Sequence, residues 1–282
     1  MSEAPSRRQS LITFLLLLPG LAGFFGLFFY PMLVTLARSF RPEGEAQGWT
    51  LENYAVLVRN SDFPRVILLT FFLAISSTVL SIALSVPLAL LLRHKPTGHR
   101  LLRISMLIPI TVPGLIGALG LLLFWGSRGW FNLALMPLLD LKNPIQVNYT
   151  LPGLIIFYVW HYFSYTATTT LSTLEGLDPA FEEAATVAGA APGQVLRHVV
   201  IPLIMPGILA GSVLSFMAAF GAFSIPLVTG GSLRPLAVSI YKQIEVFTPA
   251  RWSAASAMAA VMATLQVIFL AIYMRVLRRP SI

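Results

Sequence analysis

An all-α membrane protein is what this 282-residue sequence predicts, and three observations carry that reading. Hydrophobic residues make up 56% of the chain and charged ones 11%, with a mean hydropathy of +0.79. One water-soluble core of this length cannot hide so much apolar surface. The apolar residues fall into six runs, at about 11–38, 64–92, 104–125, 150–172, 203–228 and 253–276, each close to or above the roughly 20 helical residues that cross ~30 Å of hydrocarbon. None shows the alternation, in segments of about ten residues, that marks an outer-membrane barrel.

The first run follows Arg7-Arg8 and imitates a secretory signal, but its apolar stretch continues to Ala37, too long for a signal core, and no convincing small-x-small cleavage site follows it. It reads as a retained first helix. The third contains Pro109-Ile110-Thr111-Val112-Pro113, and the fifth ends near Pro226. These prolines mark bends, which serve either kinked packing or a translocation path. Gly114, Gly117 and Gly120 in the third run, with Gly207 and Gly211 in the fifth, allow helix backbones to approach closely.

Two stripes are candidate path lining. On the fourth run His161, Tyr165, Thr168 and Ser172 follow i, i+4, i+7 and i+11, a polar face on an apolar helix. On the fifth, Ser212, Phe216, Phe220 and Phe223 share a face. Interhelical hydrogen bonding would explain the first stripe equally, and lipid or core packing the second.

Several function classes lack their chemistry. There is no cysteine, hence no disulfide and no thiolate site. Walker A, His-Glu-x-x-His and Gly-x-Ser-x-Gly patterns are missing. His161 and Ser164 share a helix face but have no third partner or oxyanion site, so no catalytic, metal or cofactor residue is assigned. The charge of +8 comes from small groups flanking the runs, which suits topology and anionic lipid and gives no nucleic-acid interface. An ion-coupled secondary transporter stays open as an alternative, although no Asp, Glu, Lys or Arg lies well inside any run.

The polar interruption between runs four and five, about 173–202, carries the sharpest signal. Asp178 is a good N-cap and Pro179 a good first helical residue, Gly189 permits a left-handed stop, and a second helix can begin at Pro192. Phe181, Ala185 and Ala188 recur at helical spacing, which puts an aromatic anchor and two small residues on one face, with Glu182 and Glu183 beside it for basic residues of a partner.

Glu183, Ala184, Ala185, Gly189, Val199, Ile201 and Pro202 also fall in register with the EAA loop of ABC importer permeases, which this chain resembles. The resemblance implies a MetI-like type I importer permease architecture, with 1–282 as a single transmembrane domain. It makes Phe181, Glu182, Glu183, Ala184, Ala185, Ala188, Gly189 and Pro202 the ATPase-coupling residues. The implied partners are a cytoplasmic ABC ATPase dimer that binds ATP and Mg, a second permease subunit forming a heterodimer, an external substrate-binding protein and membrane lipid.

The implied location is the bacterial inner membrane, with both termini cytoplasmic. Lys and Arg divide ten inside and nine outside in that orientation, with the denser clusters at 7–8, 93–103 and 275–279 inside. Gly129-Trp130-Phe131-Asn132, Leu174 to Pro179, and Pro226 to Gly231 with Arg234-Pro235-Leu236 look like spermidine/putrescine, iron(III) and aminoalkylphosphonate permeases, a polyamine being the first expectation.

Overall fold

The computed structural model of the chain describes residues 7–44, 47–94, 96–247 and 251–277. Lys95, Arg278 and Arg279, members of the expected basic clusters, lie outside them. Among the described residues every regular element is helical, and they form two compact units, Met1–Ser61 with Ile240–Thr264, and Asp62–Ser239 with Leu265–Ile282.

In the first unit α1 (Arg7–Gly23), a π-helical stretch (Phe24–Phe29) and α2 (Tyr30–Ser39) run on as one apolar rod. The π stretch precedes Pro31, whose missing N–H cannot complete the α ladder. The short helix α3 (Glu52–Arg59) is tied back to the end of this rod. Asn53 is buried and donates from Nδ2 to the carbonyls of Ser39 and Arg41, both at 2.8 Å. Glu43 accepts from the backbone N–H of Ala254 at 2.7 Å, which places a carboxylate at the positive end of the last helix, Trp252–Leu277.

The second unit contains, in order, α4 (Phe63–Arg93), α5 (His99–Thr111), α6 (Gly114–Phe124), α7 (Trp130–Leu138), α8 (Leu151–Glu175), α9 (Ala180–Val187), α10 (Pro192–Val195), a π stretch (Leu196–Val200), α11 (Ile201–Phe220) and α12 (Ser224–Thr229). α13 (Leu236–Glu245) begins there, and α14 is the helix Trp252–Leu277.

Helices α4, α8 and α11 pack together as the centre of this unit. Small residues and hydroxyls do the packing. A Cβ on Gly207 would strike Thr173 Oγ1, and one on Gly211 would lie 2.6 Å from the Thr166 Cα. Thr166 and Ser215 share a hydrogen bond at 2.8 Å, Ser215 also donates to the Tyr162 carbonyl at 2.9 Å, and Ser85 donates to the Phe163 carbonyl at 3.3 Å. In a medium with no water to reward apolar burial, such contacts are what hold helices together.

Among the described residues four helices are long and apolar enough to cross a bilayer: Thr13–Ser39, Phe63–Arg93, Pro192–Phe220 and Trp252–Arg275. Counting α5 with α6 as a fifth requires a bend of 111° between them. The stretch expected at 104–125 is therefore no straight helix. Val112 is extended (φ −80°, ψ 125°) because the ring of Pro113 crowds the α conformation of the residue before it. α8 has 25 residues, enough length for a crossing, and the hydroxyls of its second half lower its hydropathy. The fifth expected run also breaks, between α11 and α12 at Gly221 to Phe223.

Candidate functional site

The polar connection from α8 to α11 takes the shape its residues dictate. Asp178 Oδ1 accepts from the N–H of Ala180 at 2.9 Å and so caps the start of α9. At the other end Gly189 adopts φ +89°, its N–H bonds the Thr186 carbonyl at 2.9 Å, and the Ala190 N–H reaches back to the Ala185 carbonyl at 3.1 Å. That pair of bonds is a Schellman stop, which needs a residue comfortable at positive φ. α10 then opens at Pro192, with Gln194 Oε1 accepting from the Ala191 N–H at 2.8 Å.

α9 is bound to the bundle along one side. Leu177, Ala185 and Ala190 pack against a core of Ala89, Leu92, Met106, Leu171, Leu174 and Ile204. The outward side presents Phe181 (54% exposed) and Val187 (89% exposed), with Ala184 and Ala188 between them and Glu183 exposed beside them.

Two sequence expectations are corrected. Ala185 turns inward because it faces this core, so the outward apolar face is Phe181, Ala184, Val187 and Ala188. Glu182 forms an ion pair with Arg93 of this chain at the end of α4, so it is engaged at home. Val187 has no counterpart in the expected set, although its helical spacing from Ala184 made it findable. Pro202 is exposed in the first turn of α11, directly after the π stretch.

The candidate path residues separate. His161, Tyr165 and Thr168 are half-buried along one face of α8, and Ser172 is exposed further along it. The Thr168 hydroxyl is returned to its own helix, donating to the Ser164 carbonyl at 2.7 Å. A Cβ built on Gly114 would lie 3.7 Å from His161 Nε2 and 3.5 Å from the Ser224 Cβ. The break at Pro113 and the start of α12 thus flank His161.

Ser164 donates to the Met106 carbonyl at 2.7 Å, which commits it to α5. Phe216 and Phe220 are buried among Phe71 of α4 and Phe269 of α14, with ring centroids 4.9 Å apart for Phe71 and Phe220 and 3.6 Å for Phe216 and Phe269. Phe223 lies at the break before α12 and is 36% exposed. Sequence reasoning passed over a third stripe, the buried Ser77, Ser81 and Ser85 of α4, whose spacing of four was the available signal.

Residues 81–281 match the family model described as "Binding-protein-dependent transport system inner membrane component". The spermidine/putrescine transport system permease protein PotB of Salmonella typhimurium is 30% identical over 255 residues, covering 89% of this chain and 88% of that protein. The molybdenum transport system permease protein ModB of Mycobacterium tuberculosis is 30% identical over 207 residues, 72% of this chain and 76% of that one. Among solved structures, a bacterial ABC transporter involved in alginate import aligns over 98% of both chains with a TM-score of 0.80 at 18% identity, a likeness of fold. Dependence on a binding protein displaces the ion-coupled carrier as an alternative. By the family match across most of its length and by a relative matched over nearly all of both proteins, the chain belongs to the binding-protein-dependent transport system inner membrane components, the permease subunits of ABC importers.

Proposed function

We propose that this permease imports a polyamine, spermidine or putrescine. The reading rests on the likeness to PotB, which spans 89% of this chain where the likeness to ModB spans 72%. In it the chain crosses the membrane six times with both termini in the cytoplasm and pairs with a second, different permease subunit. A cytoplasmic ATPase dimer, which binds ATP and Mg, docks on α9, and an external binding protein delivers the substrate. A solved relative in complex with a periplasmic protein supports the last partner.

Phe181, Glu183, Ala184, Val187 and Ala188 form the docking face. Gly189, Ala185 and Pro202 hold its shape. His161, Tyr165, Thr168 and Phe223 line the path where two broken helices meet, an arrangement that exposes backbone polar groups to a solute. Phe216 and Phe220 back that wall. The same machine working on iron(III) or an aminoalkylphosphonate is the second reading, because the segments at 129–132, 174–179, 226–231 and 234–236 resemble those permeases as well as the polyamine ones.

Uptake of labelled putrescine and spermidine in cells lacking and then regaining the gene tests the substrate. Restoration that unlabelled polyamine abolishes is expected. Restored uptake of iron(III), aminoalkylphosphonate or molybdate with none of polyamine would overturn the assignment.

A further inference from the structure

The joint between α8 and α9 is bracketed by two ion pairs that reach the same distant piece of chain. Before the joint, Glu175, the last residue of α8, receives a two-pronged bond from Arg103 of α5, with Nη1 to Oε1 and Nη2 to Oε2 both at 3.0 Å. Beyond it, Glu182 in the first turn of α9 pairs with Arg93, the last residue of α4. Between the acids lie Gly176 to Phe181, six residues of which Leu177 packs against the core. Between the arginines lie the α4–α5 connection and the first turn of α5.

In the Arg93–Glu182 pair each charge also suits the helix end it occupies, whereas Glu175 lies at the carbonyl end of α8 and depends on its arginine. Arg93 sits at the carbonyl end of α4 and Glu182 at the N–H end of α9, so both macrodipoles favour the pair. The Arg93 and Glu182 side chains are 20% and 28% exposed, so salt screens them less than an open surface pair. The Arg103 pair is more exposed, at 51% and 40%, but its fork geometry is the kind that holds orientation. From Arg103, α5 runs unbroken to Thr111, just before the break at Pro113 and the neighbourhood of His161.

We propose that Arg93 and Arg103 are positioning residues for ATPase coupling: they staple the α8–α9 joint to α4 and α5, so that a displacement of α9 moves these two helices together with α8. The proposal rests on the reading of α9 as the docking helix. It adds a route, through α5, from the docking face to the break beside His161.

The test uses the assembled importer in proteoliposomes, with permease, partner permease, ATPase and binding protein present. Two quantities are measured: ATPase subunit retained per permease, and substrate-stimulated over basal hydrolysis. Single reversals R93E and E182R should retain the ATPase but lower stimulation about tenfold, and the reversed pair R93E/E182R should recover to within about twofold of wild type, since the two sites act as a coupled unit. R93E with unchanged stimulation, or a reversed pair no better than the singles, overturns the proposal. Loss of the ATPase itself from the singles would make Arg93 part of docking and also overturns it.

If R93E fails to insert or to pair with the partner permease, E182Q decides, because it changes only the α9 side. Lost stimulation with the ATPase retained supports stapling, and full stimulation contradicts it. R103E, E175R and their pair are read the same way. Failure of the docking reading is seen separately, as ATPase retention that Phe181→Ala leaves unaltered.

Discussion

Phe181→Ala should release the ATPase from the permease without disturbing the membrane helices. A Phe side chain has about 150–250 Å² to bury, and with 54% of Phe181 exposed in this chain roughly 100 Å² is left for a partner to cover. At about 25 cal/mol per Å², and allowing for the Cβ that alanine keeps, the loss is about 2 kcal/mol. That is roughly a 30-fold weaker docking equilibrium at 1.4 kcal/mol per tenfold, the scale of an anchor residue in a small interface. Titrating the partner ATPase onto the permease pair in nanodiscs reads the affinity directly. Trp130→Ala, equally apolar and 79% exposed on α7, serves as the control and should leave it unchanged. An F181A affinity within about twofold of wild type would refute the reasoning, because so exposed a ring cannot be an anchor and cost nothing on removal.

The remaining predictions concern orientation, packing and the path. Single cysteines at Ala191, Thr97 and Gln47 can be placed in this cysteine-free chain; an impermeant maleimide applied to intact cells should label Gln47→Cys and spare the other two, and labelling at Ala191 alone would invert the topology. Gly211→Val puts a side chain against Thr169 and the Thr166 backbone, so the detergent-solubilised subunit should lose about 1–3 kcal/mol, the usual cost of overpacking; an unchanged melting temperature would mean that α8 and α11 do not pack as described. His161→Ala and Tyr165→Ala should lower uptake while the amount of assembled complex stays near wild type. An equal fall in uptake and assembly would make the stripe structural glue instead of lining.

Where the sequence spoke clearly, the governing interactions were local. Asp178, Gly189 and Pro192 announce the start, stop and restart of the polar connection because capping and positive φ depend on residues within one helical turn, and each took the expected place. Val112-Pro113 announced a bend, but not one of 111°, since the angle between two helices is set by what they pack on. What stayed hidden is long-range. Glu182 looked free for a partner because its arginine lies at position 93, on another helix, and nothing near residue 182 refers to it. The stripe of Phe216 and Phe220 looked the same whether it faced a path or Phe71 and Phe269, and periodicity cannot separate two apolar surroundings. Ala185 was misplaced for a related reason. Helical spacing gives neighbours on a face, while the core built by Leu92, Leu171 and Leu174 decides which face turns inward.

The docking of α9 on the ATPase is the central claim, and a cross-link tests it most directly. Val187 is 89% exposed in this chain, so Val187→Cys, the sole cysteine of the permease, can be joined by a short bismaleimide to a cysteine introduced on the permease-facing surface of the ATPase in inverted membrane vesicles. The account predicts an adduct of the two subunits that forms at the expense of free thiol and is absent when the cysteine is moved to Leu138 on α7. Reactive thiol at position 187 in the assembled complex, labelled in full and never joined to the ATPase, would contradict it.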